Sequence, residues 1–464
     1  MAYTTVDKQT AHFNTKLYTG NGGTNAITGV GFQPDKVWIK ERNGTNNHEI
    51  NDAIRGVNYQ LYPNLANAQT NAANHLTAFG TDGFTVGSDG ALNTNSNTYV
   101  SWNWLAGGTT PSQTYTVKVV SDSGNKYRFD DFGTSAVTLD LQEGGTYTFD
   151  QSDSSNATHP LRFYTASDKS GGEYTTGVTT NGTPGSSGAY TRITVAASAP
   201  TLYYQCSSHA GMGGQANTNS TFGSSNFSGS IQSTVSANTT AGFSMVSYTG
   251  TGSNPATIGH GLGVTPKMII VKPRSIAYSW CVYHVDAGAG NLLYYDTNGG
   301  AGGSSVWNST SPTSSVFTGN DNQVNKSGET HIAYCFADVV GYSKFGSYKG
   351  NGNADGTFIY TGFKPAFVMF KRSDGGTENW ALLDSTRSYA NVSNHTLAAN
   401  LSNAESSFGG GESVFGASNK VDILSNGIKI REASNYNNTS GATYIYMAFG
   451  QTIVGSNDVP ATAR

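Results

Sequence analysis

Tyr18-Thr19-Gly20, followed by Pro34, Val37, Ile39 and Lys40, is the first occurrence of a pattern that returns twice. The second occurrence is Tyr248-Thr249-Gly250 with Pro266, Ile269, Val271 and Lys272, and the third is Tyr348-Lys349-Gly350 with Pro365, Val368, Phe370 and Lys371. The proline and the lysine are six residues apart each time. Copies of roughly 100 residues exceed the ~20 to 50 residues of a solenoid unit, so the pattern predicts an array of whole related domains.

Two further motifs occur in the first and third copies only. One is Leu61-x-x-Asn64-Leu65 against Leu397-x-x-Asn400-Leu401, and the other is an Asp-x-x-Arg, Asp52/Arg55 against Asp384/Arg387. The Asp-x-x-Arg favours an ion pair at the surface or between strands, with sugar binding or catalysis as the alternative. Because the second copy lacks this motif, its role is not required of every copy.

Composition and patterning predict an all-β, multi-domain chain. Only 12% of the 464 residues are charged, 58 are glycine, and the short apolar runs alternate with polar residues and stop at Gly, Asn or Pro. This is the pattern of strands and turns, and the length suits three or four domains. A net charge of −4 offers no basic surface for nucleic acid, and no stretch approaches the ~20 apolar residues that span a bilayer. The first residues lack the features of a signal peptide, so we expect folding in a cytosol.

The repeats and the changes in composition predict four domains. Related β-sandwich modules are expected at 1–108, 231–339 and 340–464. A β-sandwich insert with a different strand pattern is expected at 113–214. Gly107–Pro111 and Gln215–Ser230 have the composition of linkers. The second and third modules, which have almost no spacer, should form one unit. Asp82-Gly83 and Asn426-Gly427 predict hairpins in which glycine takes a positive φ.

The insert contains the one residue set with specific chemistry. Cys206, His209 and Met212 share a loop after the strand Leu202-Tyr-Tyr204, and His159 lies 47 residues upstream. A thiolate, two imidazoles and a thioether are the ligands that select copper over hard cations. The other two cysteines, Cys281 and Cys335, fit small core residues.

The insert resembles the cupredoxins, small β-sandwich copper proteins. In that family one histidine comes from an upstream strand, and the cysteine, second histidine and methionine come from the last loop; the matching positions are His159, Cys206, His209 and Met212. One departure is Pro160, which has no N–H to donate toward the cysteine sulfur. The alternatives are a sandwich that kept the loop without the metal, and a chance spacing.

Other candidate residues have simpler explanations. Trp102, Trp104 and Tyr446 could stack on sugars, but packing in a core or interface is favoured. His260 lies in Gly259-His-Gly-Leu-Gly263, which predicts a turn. No nucleophile elbow, phosphate loop, zinc motif or paired-carboxylate motif is present, so we expect a protein that is not an enzyme.

The whole chain resembles virion structural proteins of marine bacteriophages. The resemblance is carried by the opening Met1-Ala-Tyr-Thr-Thr-Val-Asp7, the Tyr-Thr-Gly starts, Gly346-Ser-Tyr-Lys-Gly-Asn-Gly-Asn-Ala-Asp-Gly-Thr-Phe358 with Tyr360-Thr-Gly-Phe-Lys-Pro365, and the ending Val459-Pro-Ala-Thr-Ala-Arg464. Proteins of this kind also carry a cupredoxin-like insert with a Cys-x-x-His-x-Gly-Met-Gly-Gly loop. The resemblance implies lectin-like jelly-roll modules.

In function, this resemblance implies a virion protein assembled in the host cytoplasm, such as a tail fibre or appendage for host attachment. A head-decoration or adaptor protein without receptor role is the first alternative, and a copper-binding redox protein the second. Expected partners are other virion proteins, further copies of the chain with a trimer favoured, and a host-surface glycan or protein. Nucleic acid and membrane insertion are not expected.

Overall fold

The computed structural model describes residue 6 and residues 8–218, 222–388, 390–393, 395–405, 420–433 and 435–450. The described residues form strands, short 3-10 turns and one-turn helices, which confirms the prediction of a multi-domain all-β sandwich architecture. Much of the opening motif (1–5 and 7), the ending motif (459–464) and the last part of the third module (451–464) lie outside the described residues. None of the helices in the described ranges has the length and apolar character needed to cross a membrane.

The first module places two sheets around a core. Its elements are a 3-10 turn (Gln9–Ala11), β1 (Phe13–Thr19), β2 (Asn25–Thr28), β3 (Lys36–Glu41), β4 (Glu49–Asp52), β5 (Tyr59–Gln60), β6 (Thr70–Asn71), β7 (Leu76–Gly80), β8 (Gly83–Val86), α1 (Gly90–Asn93) and β9 (Thr98–Trp104). The main sheet has the order β1-β9-β3-β4, and the second has β2-β8-β7. Val37 and Ile39 pack into the core between these sheets, while Trp38 points to the opposite, also buried face.

The inserted domain is a second kind of two-sheet sandwich. Its elements are β10 (Ser112–Ser121), β11 (Asn125–Phe129), β12 (Leu139–Asp140), β13 (Thr146–Asp150), a 3-10 turn (Ser154–Asn156), β14 (Leu161–Tyr164), β15 (Val178–Asn181), β16 (Tyr190–Thr194), β17 (Leu202–Cys206) and β18 (Gln215–Asn217). The sheets have the orders β11-β10-β13-β16-β15 and β12-β18-β17-β14. Both contain one parallel strand pair, which the three modules lack among their described strands.

The second and third modules repeat the plan of the first. The second contains β19 (Ser224–Asn226), β20 (Ser233–Asn238), β21 (Phe243–Thr249), β22 (Ala256–Gly259), β23 (Met268–Pro273), β24 (Cys281–His284), β25 (Asn291–Tyr294), β26 (Gly302–Gly303), β27 (Val316–Gly319), α2 (Asn322–Asn325) and β28 (Thr330–Phe336). The third contains β29 (Ser343–Lys349), β30 (Phe358–Tyr360), β31 (Pro365–Arg372), β32 (Ala381–Asp384), β33 (Leu397–Ala398), β34 (Val421–Leu424), β35 (Gly427–Ile430), α3 (Asn435–Asn438) and β36 (Thr443–Gly450). The sheet orders β21-β28-β23-β24 and β29-β36-β31-β32 match β1-β9-β3-β4.

The repeated tyrosine occupies the same position in all three modules. The hydroxyls of Tyr18, Tyr248 and Tyr348 donate to a backbone oxygen in the short helix before the last strand, at 2.8, 2.7 and 2.8 Å. The glycine two residues later is needed because the chain passes close by. A Cβ at Gly20 would lie 2.1 Å from the backbone oxygen of Thr94, and the other two glycines meet the equivalent oxygens at 2.3 Å.

The two predicted hairpins form, and Gly83 takes the predicted positive φ, at 149°, whereas Gly427 does not take a positive φ. The turn residues precede Gly83 and Gly427, each of which is the first residue of a strand. A Cβ at Gly83 would lie 2.0 Å from the backbone oxygen of Ile27, and a Cβ at Gly427 would lie 2.2 Å from that of Ile359. Close approach of a third strand therefore requires glycine at both positions, in addition to the positive φ of Gly83.

The segment Gln215–Ser230 is not a linker, so that prediction was wrong. It contributes β18 to the inserted sandwich and β19 to the sheet of the second module, and Phe227 is buried in the core of the insert. Strands of three residues can be held mainly by backbone hydrogen bonds, so a run of Ser, Asn and Thr can form them without an apolar alternation. The inserted sandwich thus continues beyond Gly214.

The three modules share one hydrophobic core. Aromatic and aliphatic side chains from the outer face of each main sheet meet in a single cluster that includes Trp102, Tyr334 and Phe449. Trp102 and Trp104 are 0% and 1% exposed, and Tyr446 is 5% exposed. These rings therefore pack in the interior, as favoured, and are closed to a sugar. Cys281 and Cys335 are also fully buried, as predicted.

Polar contacts between the modules join equivalent positions. The hydroxyl of Tyr334 in the second module donates to Asp52 in the first at 2.6 Å, and the indole N–H of Trp102 in the first donates to Asp384 in the third at 3.0 Å. Both acceptors end the fourth strand of their module's repeated sheet pattern, and both donors lie on the last strand. Each aspartate is also bound by its own Asp-x-x-Arg arginine at 2.5 Å, with both side chains fully buried.

The second module contacts the third without an Asp-x-x-Arg motif. Its equivalent of the aspartate is His284, and the third-module residue at the position of Tyr334 and Trp102 is Met447, a side chain with no donor. His284 instead donates its Nε2–H to the backbone oxygen of Tyr446 at 3.2 Å. The asparagine of the Leu-x-x-Asn-Leu motif also has a counterpart in the second module. Asp296 accepts the backbone N–H of Trp280, as Asn400 does for Trp380 in the third module.

The repeated lysine also crosses between modules. Lys272 donates from Nζ to the backbone oxygen of Ala66 in the first module at 3.0 Å, and Lys371 donates to that of Asn298 in the second at 2.9 Å. Burial lowers the pKa of both lysines to about 8. In these two copies the Pro-to-Lys spacing thus places a cation on a carbonyl of the neighbouring module, whereas Lys40 of the first module donates to the backbone oxygens of Glu41 and Gly44 in its own module.

The contact between the first and third modules should make the protein sensitive to acid. Burial raises the pKa of Glu405, but Arg387 and then Arg42 lower it, and the result is about 2 against 4.5 for the free side chain. Stability from this group is therefore complete above pH 4.5 and is lost as the pH falls toward 2. Between pH 6 and pH 3 it should contribute a loss of about 2 kcal/mol in the free energy of unfolding.

Urea unfolding of the wild type and of Glu405→Gln at the two pH values tests this expectation. The difference in stability between the two proteins should be smaller at pH 3 than at pH 6. An unchanged difference would contradict a low pKa for Glu405.

Candidate metal centre

Strand pairing brings the predicted ligands of the insert together. Cys206 is the last residue of β17, and β17 pairs with β14 so that Cys206 lies opposite Leu161. His159 lies two residues before that position, after the short 3-10 turn, and Ser207 N–H donates to the backbone oxygen of Pro160 at 2.9 Å. The pairing of two strands therefore closes the 47-residue gap in sequence.

Three of the four predicted side chains converge on one point. Cys206 Sγ lies 3.9 Å from His159 Nδ1 and 3.5 Å from His209 Nδ1. The three ligand atoms lie within 4.8 Å of one another. Two ligands at about 2.0 and 2.3 Å from one ion, at about 120°, would be about 3.7 Å apart. The spacing of the side chains thus fits a three-coordinate His₂Cys site.

The ligands differ in their access to solvent. Cys206 is 0% exposed and His159 is 9% exposed, whereas His209 is exposed. Met212, the fourth predicted ligand, is 1% exposed and belongs to the same core cluster as Cys206. A metal ion held here would be shielded by protein on one side and reachable through His209 on the other.

His159 is oriented from both ends. Its Nε2 faces the side-chain amide of Asn125 at 3.5 Å, which leaves Nδ1 toward the sulfur, and its backbone oxygen accepts from Tyr127 and Gln151 at 2.8 and 3.0 Å. Burial and then the neighbouring His209 lower the pKa of His159. Both effects favour the neutral imidazole that binds metals.

Tyr127 lies beside His159 and Cys206, next to the position where Pro160 offers no N–H. Its hydroxyl donates to the backbone oxygen of His159 and also lies within hydrogen-bonding reach of the Cys206 side chain. Sequence reasoning missed this residue, since a tyrosine in a strand 79 positions before the cysteine carries no local signal. Donors near the sulfur are among the groups that tune such sites.

Two lysines hold the ligand loop at its ends. Lys169 Nζ donates to the backbone oxygens of Cys206 and Ser207, both at 3.2 Å, and Lys126 Nζ donates to that of Gly211. The backbone N–H of Tyr127 adds a bond to the oxygen of Met212 at 2.8 Å. The loop is therefore held by hydrogen bonds within the protein that do not require a bound metal.

Removing this bracing should loosen the loop. In the double variant Lys126→Met/Lys169→Met, the amides of residues 207–212 should exchange hydrogen about tenfold faster in metal-free protein, because each lost charge-assisted bond is worth about 1.5 kcal/mol or more. Hydrogen exchange followed by mass spectrometry measures this. Lys118→Met, which removes a lysine paired with Asp131 elsewhere in the insert, is the control. Equal exchange in both variants would show that the lysines do not brace the loop.

His260 has the structural role that its sequence predicted. Its Nδ1 accepts the backbone N–H of Leu262 and its Nε2 bonds the oxygen of Thr313, each at 3.2 Å. The side chain is fully buried, and burial lowers its pKa. His260 therefore stabilises a turn.

Comparison with known proteins gives one match. A family model described as "Domain of unknown function (DUF7483)" matches residues 8–129 and 215–452, more than three quarters of the chain. The matched ranges include the second module and nearly all of the first and third, and they leave out the part of the insert that carries the four predicted ligands. No curated protein and no solved structure matches.

Proposed function

Since the chain belongs to the DUF7483 family, whose function is unknown, we propose from its own residues that the inserted domain binds one copper ion. The convergence of Cys206, His159 and His209 carries this proposal. The soft sulfur and the two imidazoles would hold the ion, with Met212 as a weak fourth ligand. A bound copper ion would supply one-electron chemistry, and the protein would contribute the braced loop and the partial shielding from water.

Titration of the metal-free protein with Cu(II) tests the proposal. One equivalent should bind and produce an intense visible absorption, which arises from charge transfer between cysteine sulfur and copper. A protein that stays colourless with excess Cu(II) would leave the alternative of a sandwich that kept the loop without the metal.

For the whole chain we propose a non-enzymatic structural role in a bacteriophage virion, as a tail fibre or appendage for host attachment. The resemblance of the repeats and of the insert to marine phage proteins motivates this proposal. The shared core supports a structural rather than an enzymatic role, because the Asp-x-x-Arg pairs and the tryptophans form contacts between modules. A head-decoration or adaptor protein without receptor role is the alternative.

Labelling of purified phage particles with antibodies against the insert, viewed by electron microscopy, distinguishes these roles. Label on the tail supports the fibre or appendage, and label over the head supports decoration. Particles without label, from a phage that produces the protein, would overturn both.

We also propose that the chain associates with further copies of itself, with a trimer favoured, because viral appendages gain stability from symmetric association. Light scattering at micromolar concentration should give a multiple of the 48.7 kDa chain mass. A monomer would count against the fibre and leave the copper proposal untouched.

A further inference from the structure

The first module has buried polar side chains where its two copies are apolar. Glu49 and Asn51 lie on the face of β4 that pairs with Ile39 and Val37, residues of the module's own core. Module two has Cys281 and Tyr283 at these positions, and module three has Ala381 and Leu383. The first module thus has a carboxylate and an amide where the repeated fold otherwise has apolar side chains. This difference needs a physical reason, because buried polar groups without partners are costly.

These polar atoms have no partners within the described residues. Glu49 Oε2, both amide atoms of Asn51 and the Nε2 of His75 are buried without a hydrogen bond. Glu49 is 2% exposed, and Asn51 and His75 are 0% exposed. Glu49 Oε2 and His75 Nε2 face each other at 3.9 Å, which is too long for a hydrogen bond.

The orientation of His75 leaves a lone pair toward Glu49. Its Nδ1 lies 2.9 Å from Asp89 Oδ2, while Asp89 Oδ1 accepts the N–H of Ala91 at the start of α1. The contact with Asp89 places a proton on Nδ1, so Nε2 is the acceptor whenever the ring is neutral. A carboxylate behind a histidine ring is the arrangement that orients metal-binding imidazoles in proteins.

Spacing and donor type favour a divalent cation as the missing partner. Two carboxyl groups flank one imidazole; burial raises the pKa of Glu49 well above its usual range, and a cation bound at its oxygen would hold it as a carboxylate. Ligand atoms at about 2.1 Å from one ion are at most about 4.2 Å apart, and the observed 3.9 Å is within that limit. One imidazole nitrogen with carboxylate and amide oxygens suits first-row divalent metals.

We propose that Glu49, His75 and Asn51 form a second metal site, inside the first module, for a divalent first-row metal ion. Asp89 is its positioning residue, because it holds the His75 ring without touching the ion. The site is separate from the insert in sequence and structure, and the proposal does not depend on copper binding.

Equilibrium dialysis with Zn²⁺ or Mn²⁺ tests the proposal on the full chain. The Cys206→Ser background is used so that the insert does not compete for the metal. This protein should retain one equivalent of metal after dialysis. Adding His75→Gln should weaken binding about 100-fold or more, and adding Asp89→Asn about 10- to 100-fold.

The third module supplies a variant that is expected to fold. Glu49→Ala/Asn51→Leu gives β4 the residues that β32 already carries, so it should abolish metal binding while keeping or raising the stability of the metal-free protein. Three results would overturn the proposal: no retained metal in the Cys206→Ser protein, equal retention in all variants, or a crystal structure of the metal-loaded protein with only ordered water between Glu49 and His75.

Discussion

Replacing Cys206 with serine is expected to abolish the visible absorption of the copper-loaded protein. The thiolate is the donor of the charge-transfer transition, and a serine hydroxyl does not replace it at neutral pH. The absorption should fall to background in a Cu(II) titration followed by spectroscopy, while the two histidines retain only weaker binding. The fold should persist, because serine is close to cysteine in size.

Cys281→Ser is the matched control for this prediction. Cys281 is another fully buried cysteine, in the second module, and belongs to no cluster of metal-binding side chains among the described residues. This variant should bind Cu(II) with the wild-type spectrum. A spectrum that survives Cys206→Ser, or one that disappears in both variants, would show that Cys206 is not the copper ligand.

Replacing Arg387 with methionine is expected to destabilise the protein by about 3–5 kcal/mol. Arg387 binds Asp384 at 2.5 Å and Glu405 at 3.5 Å, with all three side chains fully buried. Its removal leaves two buried carboxylates without their shared cation. The free-energy cost of these unpaired charges exceeds the net stabilisation by the ion pair itself. Denaturant unfolding at pH 7 measures the change.

The size of this effect should depend on burial rather than on charge alone. Arg192→Met removes an exposed arginine of the insert and should change stability by no more than about 0.5 kcal/mol. Arg55→Met, the equivalent change in the first module, should resemble Arg387→Met because Arg55 binds Asp52 in the same way. A loss below about 1 kcal/mol for Arg387→Met would contradict the proposed role at the contact between modules.

Much of the fold could be predicted from local patterns. Alternation of apolar and polar residues marked β-strands because side chains of a strand point to opposite faces, and the triplicated tyrosine and glycine marked equivalent positions. The same tyrosine hydroxyl reaches the same backbone oxygen in each module. The segment Gln215–Ser230 escaped prediction because backbone pairing, rather than its side chains, makes it a strand.

The candidate copper site was partly visible in the sequence. Cys206, His209 and Met212 share one loop, so their spacing suggested a ligand set, and His159, 47 residues upstream, completed it before the resemblance was considered. Tyr127, Lys126 and Lys169 could not be found in this way. They approach the loop only through strand pairing and side-chain reach, and a lone tyrosine or lysine in a strand is more often structural.

By itself, then, the sequence determined the class of fold, the threefold repetition and the metal-ligand types, because these depend on residue type and spacing along the chain. Tertiary structure decided which side chains of one module bind the next module. Asp52, Trp102 and Tyr334 acquire their roles only when three sheets close around one core and each buried donor meets an acceptor of the neighbouring module. Tertiary structure also leaves Glu49 Oε2 and His75 Nε2 without a hydrogen bond, since burial removes the water that would otherwise satisfy them.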